Sequence, residues 1–198
     1  MMESPYSKTD KTIAYLNKQY AKLFRSVATF DELNVISVSH EIYNRIYTLV
    51  EQEAIRLSEI VYKKYKREEN DTEFDATAFI LALLLGYSPV TKYIFKNELD
   101  RKRARFAESL IASETPHEEV ARAMRQVVGM SAQFMDDVTF ETLIEVFRDN
   151  GVEKVRWVTS PDDRRCKHCA SMHNKIYSID DIPVKPHIHC RCWIEEVK

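Results

Sequence analysis

The sequence has few residues that interrupt helices and no long apolar run. Its 198 residues include only three glycines and six prolines, which argues against a β-sandwich and against a disordered chain. The longest apolar run, residues 79–85, has seven residues, whereas a helix that spans a bilayer needs about 20. We therefore predict a protein built mainly of long helices, with no membrane partner.

The sequence also has little net charge and no signal-peptide pattern in its first residues. With 29 Lys and Arg against 31 Asp and Glu, the formal net charge is −2, so bulk electrostatics do not indicate a nucleic-acid binder. The first residues lack the basic-then-apolar order of a signal peptide, and we expect synthesis and retention in a cytoplasm. Gly-rich phosphate loops, nucleophile elbows and HExxH motifs are absent from the sequence. We predict that the protein is not an enzyme.

Apolar periodicity predicts helices from residue 7 to about residue 150. The clearest pattern covers residues 31–67, where apolar side chains recur on one helix face. A later helical stretch is interrupted at Gly86-Tyr-Ser-Pro89. Thr115-Pro116 combines an N-cap residue with a proline at the first helical position, and Asn150-Gly151 supplies a helix stop.

The pattern changes after Gly151. Residues 152–158 alternate between apolar and charged side chains and predict a strand, with further strands at residues 192–197 and 175–177. The predicted fold class is mainly α: a body of long amphipathic helices, residues 1–150, followed by a small α+β, β-rich module, residues 151–198. Because this module is too short to fold alone and contains all four cysteines of the chain, we predict that it is zinc-stapled.

All four cysteines lie in the last 33 residues, with histidines between them. Cys166 and Cys169 form one CxxC knuckle, and His187 and Cys190 have the same two-residue gap. Together they supply the four ligands that tetrahedral zinc needs. The loop that closes this site has 17 residues, between Cys169 and His187. Cys192 competes with His187 for the fourth place, because residues i and i+2 of a strand face the same side.

Three other interpretations of the cysteines stay open. In the first, the cysteines are reduced core residues. In the second, they form disulfides, as they can on a virion surface. In the third, one of them is a catalytic thiol. Zinc is the preferred interpretation because a CxxC pair in a reducing cytoplasm is more often a metal site than a disulfide. Four protein ligands leave no open position for water, so we expect Zn²⁺ in a structural role.

About 40 tail residues form an ordered series of motifs. A Trp157-containing strand and Asp162 precede the CxxC pair, His173-Asn-Lys-Ile-Tyr177 follows it, and Pro186-His-Ile-His-Cys-Arg-Cys192 ends the series. This series resembles the C-terminal signature of the phage Mu F-like head-morphogenesis proteins, which are minor capsid proteins of tailed phages and prophages. The family usually has Gly where this chain has Asn174. We expect the change to be mild, because Asn tolerates positive φ better than most residues.

The resemblance implies a structural virion protein that is synthesised in a bacterial host cytoplasm and is present in few copies. Its location would be the capsid interior at the portal vertex. Residues 1–150 would then bind the portal or the major capsid protein, and the chain could also contact packaged viral DNA. These expectations come from the resemblance, not from spacing or periodicity.

Two other function classes remain as alternatives. One is a zinc-knuckle nuclease or toxin-like enzyme that uses His173 or His189 with Asp162. The other is a stand-alone nucleic-acid-binding zinc module. Beside the first knuckle, three basic side chains are candidate contacts to DNA phosphates. These are Arg164, Arg165 and Lys167.

The remaining charged residues of interest favour structural interpretations. Arg191 lies between two cysteines and is predicted to pair with Asp162 or Asp163 inside the tail. The acidic pairs at residues 136–137 and 141–145 are interleaved with apolar residues at helical spacing. That pattern predicts the solvent-exposed side of an amphipathic helix.

Overall fold

The computed structural model describes residues 4–25, 35–88, 94–160 and 166–197. Helices account for 67% of these residues, which confirms a mainly helical protein with a small sheet at its C-terminal end. The elements within the described ranges are, in chain order, α1 (Tyr6–Arg25), α2 (Val35–Tyr65), α3 (Ala76–Leu84), α4 (Phe95–Ala112), α5 (Pro116–Asp149), β1 (Lys154–Val158), α6 (Lys167–Met172), β2 (Ile176–Ser178) and β3 (Trp193–Glu196). None of these helices combines the length and the apolar character needed to cross a bilayer.

Helix α5 is the central element of the fold. It packs against α1, α2 and α4 and also contacts β3. Nearly every residue from Met130 to Phe147 is buried, so this half of the helix is enclosed on all sides rather than on one apolar stripe. Its buried hydroxyls are paired with α1: Thr139 lies 2.7 Å from Thr9, and Ser131 lies 2.7 Å from Tyr20.

The predicted interruption after α3 and the predicted start and end of α5 are confirmed. Helix α3 ends at Leu84, and Gly86 follows with a φ of +87°, which is the interruption expected before Pro89. Helix α5 starts with Pro116 at its first turn. It ends at Asp149, and Gly151 adopts a φ of +72°, a left-handed conformation that glycine reaches without steric cost.

The side chain of Asn150 links the end of α2 to the end of α5 by hydrogen bonds. Its side-chain amide donates to the carbonyl of Tyr65 at 2.8 Å. Its side-chain oxygen accepts from the backbone N–H of Arg67 at 3.1 Å and from the Asn70 amide at 2.9 Å. One side chain therefore satisfies polar groups that the end of α2 leaves without helical partners.

We expect Asn150→Ala to lower the free energy of unfolding by about 2–3 kcal/mol, because it leaves several part-buried polar groups unpaired. Urea denaturation followed by circular dichroism measures this loss. Asn150→Asp is the matched control, since it keeps the acceptor oxygen and should lose less. Equal losses in the two variants would contradict the role assigned to the acceptor.

The three strands form one antiparallel sheet in the order β2-β1-β3, so all three predicted strands are confirmed. In the middle strand, Val155 pairs with Tyr177 of β2, and Trp157 pairs with Ile194 of β3. Asn174, in the turn before β2, has a φ of +65°. This matches the expectation that it replaces a glycine.

The sheet packs directly on the helices. Trp157 is completely buried, and its ring meets that of Phe140 of α5 edge-to-face at 5.5 Å. The hydroxyl of Tyr6, at the start of α1, donates to the carbonyl of Cys192 at 2.8 Å. One continuous hydrophobic core includes residues of the helices and of the tail. A division into two domains at residue 150 stays a prediction.

Candidate metal centre

Two short segments of the tail bring five metal-binding side chains together. Cys166 caps the start of α6 and Cys169 lies within it, whereas His187, Cys190 and Cys192 lie between β2 and β3. Their donor atoms form two groups, each within 4.8 Å: Cys166, Cys169 and His187, and Cys169, Cys190 and Cys192. Cys169 belongs to both groups and is therefore the centre of the cluster.

The sulfur–sulfur distance at Cys169 matches that at a tetrahedral metal ion, whereas His187 lies closer to this sulfur than it would at such an ion. The Sγ of Cys169 lies 3.8 Å from the Sγ of Cys190 and 3.1 Å from Nε2 of His187. Tetrahedral zinc with ordinary bond lengths separates two sulfurs by about 3.8 Å, and a sulfur and a nitrogen by about 3.6 Å. All four cysteines are free thiols. The five residues thus lie close enough to hold a metal ion, and no disulfide joins them.

His187 has the proton arrangement of a metal ligand. Its Nδ1 lies 2.9 Å from the carbonyl oxygen of Ile188. A carbonyl only accepts hydrogen bonds, so Nδ1 carries a proton, and in the neutral ring Nε2 presents a lone pair to Cys169. Metal-binding histidines commonly donate their other ring N–H to a backbone carbonyl in this way.

The thiols of the cluster differ strongly in acidity. A hydrogen bond from the Cys192 thiol lowers the pKa of Cys190 to about 5, and the same hydrogen bond raises the pKa of Cys192 far above its usual value. Burial raises the pKa of Cys169 to about 12. The Cys169 backbone N–H, at 3.2 Å, lowers the pKa of Cys166. A metal ion would therefore meet a thiolate at Cys190 and would displace the proton of Cys169.

A cavity of about 370 Å³ adjoins the cluster. Cys166, Cys169 and Cys192 form part of its wall, and Asp10 and Asp136 line it as well. One oxygen of Asp136 is buried and has no hydrogen-bond partner within the described ranges. The pocket therefore has a polar wall beside the sulfur atoms.

The acidic residues of α5 correct the prediction of a solvent-exposed helix side. Asp136, Asp137 and Glu141 are all buried, and among the predicted carboxylates only Glu145 is substantially exposed, at 40%. Burial raises the pKa of Asp136 to about 6 and that of Glu141 to about 7. The pattern predicts the helix correctly, but Arg191 and Lys185 of the tail face Asp136 and Asp137, and the Ser88 hydroxyl donates to Glu141.

The raised pKa of Glu141 predicts a pH-dependent stability. The folded state holds the Glu141 proton more tightly than the unfolded state, in which the pKa of this carboxyl is near 4.5. The stabilisation that comes from this proton is therefore complete below pH 4.5 and is lost as the pH rises through 7. We expect Glu141→Gln to match the wild type near pH 4.5. Above pH 7 it should be more stable by about 3 kcal/mol.

Unfolding by urea at a series of pH values measures this difference. Glu145→Gln is the control one turn further along α5. It should show a smaller pH-dependent difference, since its carboxylate is 40% exposed. A constant difference between Glu141→Gln and the wild type across the pH range would refute the assignment.

Arg191 has partners other than those predicted. Asp162 and Asp163 lie outside the described residues. Among the described residues, the Arg191 guanidinium contacts Asp10 at 2.9 Å and stands over the Tyr6 ring at 4.7 Å. Its Nε is 3.6 Å from Asp136, too long for a hydrogen bond. Arg191 thus joins the cysteine cluster to α1, a contact between residues far apart in sequence.

The candidate DNA contacts are described only in part. Lys167 is exposed on α6, whereas Arg164 and Arg165 lie outside the described residues. His173 belongs to neither donor group, and its Nδ1 accepts a hydrogen bond from the backbone N–H of Thr159 at 3.2 Å. The structure therefore brings the cysteines and His187 together and keeps His173 apart from them.

Sequence reasoning missed two buried polar residues, Gln133 and Lys185, which are both partners of the buried Asp137. Lys185 donates to Asp137 at 3.1 Å, and Gln133 donates to the other oxygen of Asp137 at 2.8 Å. The four-residue spacing of Gln133 and Asp137 on α5 was visible in the sequence. No local pattern indicated that a lysine 48 residues further along would cover it.

Comparison with known proteins extends the similarity seen in the tail. A family model described as Phage Mu protein F like protein matches residues 90–195, just over half of the 198-residue chain. The match covers α4 and α5 as well as the cysteine cluster. No curated protein and no solved structure matches the chain.

Proposed function

Since this chain belongs to the Phage Mu protein F like family, a structural head-morphogenesis family of phages, we propose that it is a minor capsid protein of a phage or prophage head. We place it in the capsid interior, in few copies, at the portal vertex. Residues 1–150 would bind the portal or the major capsid protein. The family match over residues 90–195 is the observation that carries this proposal.

Quantitative mass spectrometry of purified particles tests the assignment. We expect the chain to be present in full heads at a small number of copies relative to the major capsid protein. Cross-linking within these particles should join residues 1–150 to the portal or to the capsid protein. Absence of the chain from both procapsids and full heads would contradict the assignment to the virion.

We propose further that the tail holds one structural Zn²⁺. Cys166, Cys169, Cys190 and His187 are the proposed ligands, with Cys192 as the alternative to His187. The 3.8 Å separation of Cys169 and Cys190 and the exposed lone pair of His187 support this set. When bound, zinc would act as a cross-link between α6 and the chain that leads into β3. Elemental analysis of protein purified without chelator should find about one zinc per chain.

A contact to packaged DNA is the third part of the proposal. Lys167 is exposed on α6 beside the cluster, and Arg164 and Arg165 precede it in the sequence. We expect a salt-dependent affinity for double-stranded DNA that Arg164→Glu with Arg165→Glu weakens. Arg101→Glu is the control for a general loss of positive charge. Equal weakening by the control would argue against a contact at the tail.

We propose a structural role rather than a catalytic one for the tail. Five donors compete for four ligand positions, which favours a closed metal site without an open place for water. His173 is engaged by the Thr159 backbone and lies apart from the donor groups. Plasmid DNA incubated with zinc- or magnesium-loaded protein should stay intact, and cleavage that is lost in His173→Ala would favour the nuclease alternative instead.

A further inference from the structure

The loop that carries His187 is held to α5 just before that residue. Lys185 lies two residues earlier, and its side chain is only 4% exposed. Its Nζ donates to the carboxylate of Asp137 at 3.1 Å and to the backbone carbonyl of Asp136 at 3.3 Å. It also stands over the ring of Phe140 at 5.1 Å. A buried lysine with these partners is a fixed anchor, because any movement of the loop would leave its charge unpaired.

A second anchor follows His187. The backbone N–H of His189 donates to the side-chain oxygen of Gln133, and His189 adopts a φ of +56°. The amide nitrogen of Gln133 in turn donates to Asp137 at 2.8 Å. Both anchors therefore end on the same carboxylate. We refer to Gln133, Asp137 and Lys185 as the anchor network.

The anchor network determines where His187 lies. The His187 side chain is itself exposed, so burial does not hold its ring in place. Its contacts are the Ile188 carbonyl at Nδ1 and the Cys169 sulfur at Nε2. The two anchors fix the backbone two residues before and two residues after it. The 3.1 Å approach of Nε2 to Cys169 thus depends on α5.

Cys192 is held by different contacts. It is buried immediately before β3, and its carbonyl accepts the hydrogen bond of Tyr6. Its sulfur lies within 4.8 Å of those of Cys169 and Cys190. Cys192 could therefore enter the ligand set without help from the anchor network if His187 moved away.

We propose that Gln133, Asp137 and Lys185 are positioning residues that select His187 over Cys192 as the fourth metal ligand. This inference rests on the metal centre of the proposed function and deepens it. The network acts on the metal only through the backbone on both sides of His187. Loss of the network should therefore change which atoms bind the metal and leave the overall fold in place.

Cobalt substitution of the full chain tests the proposal. The d–d bands of tetrahedral Co²⁺ move to longer wavelength when a thiolate replaces an imidazole, so the spectrum reports the fourth ligand. The main variant combines Lys185→Met with Asp137→Leu, because apolar replacement of a buried ion pair is often close to neutral for stability. We expect its bands to move to the positions seen in His187→Ala. Its zinc affinity should fall about 10–100-fold.

The controls separate positioning from general damage. Gln133→Leu removes the anchor at His189 and the hydrogen bond to Asp137 but keeps the Lys185–Asp137 ion pair. It should give a smaller shift in the same direction if the double variant does not fold. Cys192→Ser should keep the wild-type bands. Added to the double variant, it should abolish the shifted spectrum.

Two results would overturn the inference. One is an unchanged spectrum at saturating Co²⁺ in both the double variant and Gln133→Leu, whatever their affinities. The other is that the His187→Ala variant keeps the wild-type spectrum and the Cys192→Ser variant loses it. A wild-type chain that takes up no Co²⁺ or Zn²⁺ would instead refute the metal centre itself, and the assignment to the phage head would remain.

Discussion

Cys169→Ser is expected to lower zinc affinity by more than about 100-fold, since changing a residue that merely orients a ligand already costs about 10–100-fold. Cys169 is the residue shared by both donor groups, so neither possible ligand set survives its loss. A serine hydroxyl is a poor substitute for a thiolate as a zinc ligand. Competition titration against a chromophoric chelator measures the change.

The same substitution should destabilise the tail selectively. Structural zinc contributes about 10–16 kcal/mol of binding free energy in small zinc-finger peptides. Part of the tail is held independently of the metal by its packing on α5 and α1. We therefore expect hydrogen exchange to increase at residues 166–192 in Cys169→Ser, while α2 and α5 stay protected.

The matched control for Cys169→Ser lies on the same helix. Ser171→Ala removes an exposed hydroxyl that donates to the His168 carbonyl within α6, and it should keep wild-type zinc affinity. In excess chelator, the wild type and Cys169→Ser should exchange alike. Retention of one tightly bound zinc by Cys169→Ser would show that the cluster does not hold the metal as proposed.

Trp157→Ala is expected to lower the free energy of unfolding by about 3–5 kcal/mol, the usual range for truncating a buried aromatic residue. The indole is completely buried between the rings of Phe140 at 5.5 Å and Tyr177 at 6.4 Å. Its removal would leave a cavity at the contact between the sheet and α5. Urea denaturation of zinc-loaded protein, followed by circular dichroism, measures the loss.

Trp157→Phe is the control for cavity formation. The indole N–H has no hydrogen-bond partner among the described residues. The smaller phenyl ring of the variant therefore reduces the packed volume and removes no polar contact. We expect a loss of less than about 1.5 kcal/mol. Similar losses for the alanine and phenylalanine variants would contradict an origin in packing at this contact.

The helices and strands could be predicted from the sequence because their signals are local. Pro116 at a helix start, Gly151 after a helix end and the alternation around Trp157 each reflect a conformational preference of a few neighbouring residues. The structure has a boundary or a strand at each of these positions. Asn174 is a further example, because its positive φ was expected from the residue type.

The candidate metal centre was predictable to the level of which residues come together. The two-residue spacing of Cys166 with Cys169, and of His187 with Cys190, is a property of a single knuckle and can be read from a short segment. The choice between His187 and Cys192 could not be read in this way. In our proposal it depends on Lys185 and Asp137, which are 48 residues apart and meet only in the folded chain.

By itself, the sequence determined a mainly helical protein with a small sheet at its end, a cluster of four cysteines with His187, and a resemblance that the family match over residues 90–195 confirmed. Only the tertiary structure decided which charges are buried. Asp136 and Glu141 follow a helical pattern typical of an exposed face, but α5 is enclosed by other elements. Periodicity reports which residues share a face, whereas burial depends on what distant parts of the chain pack against that face.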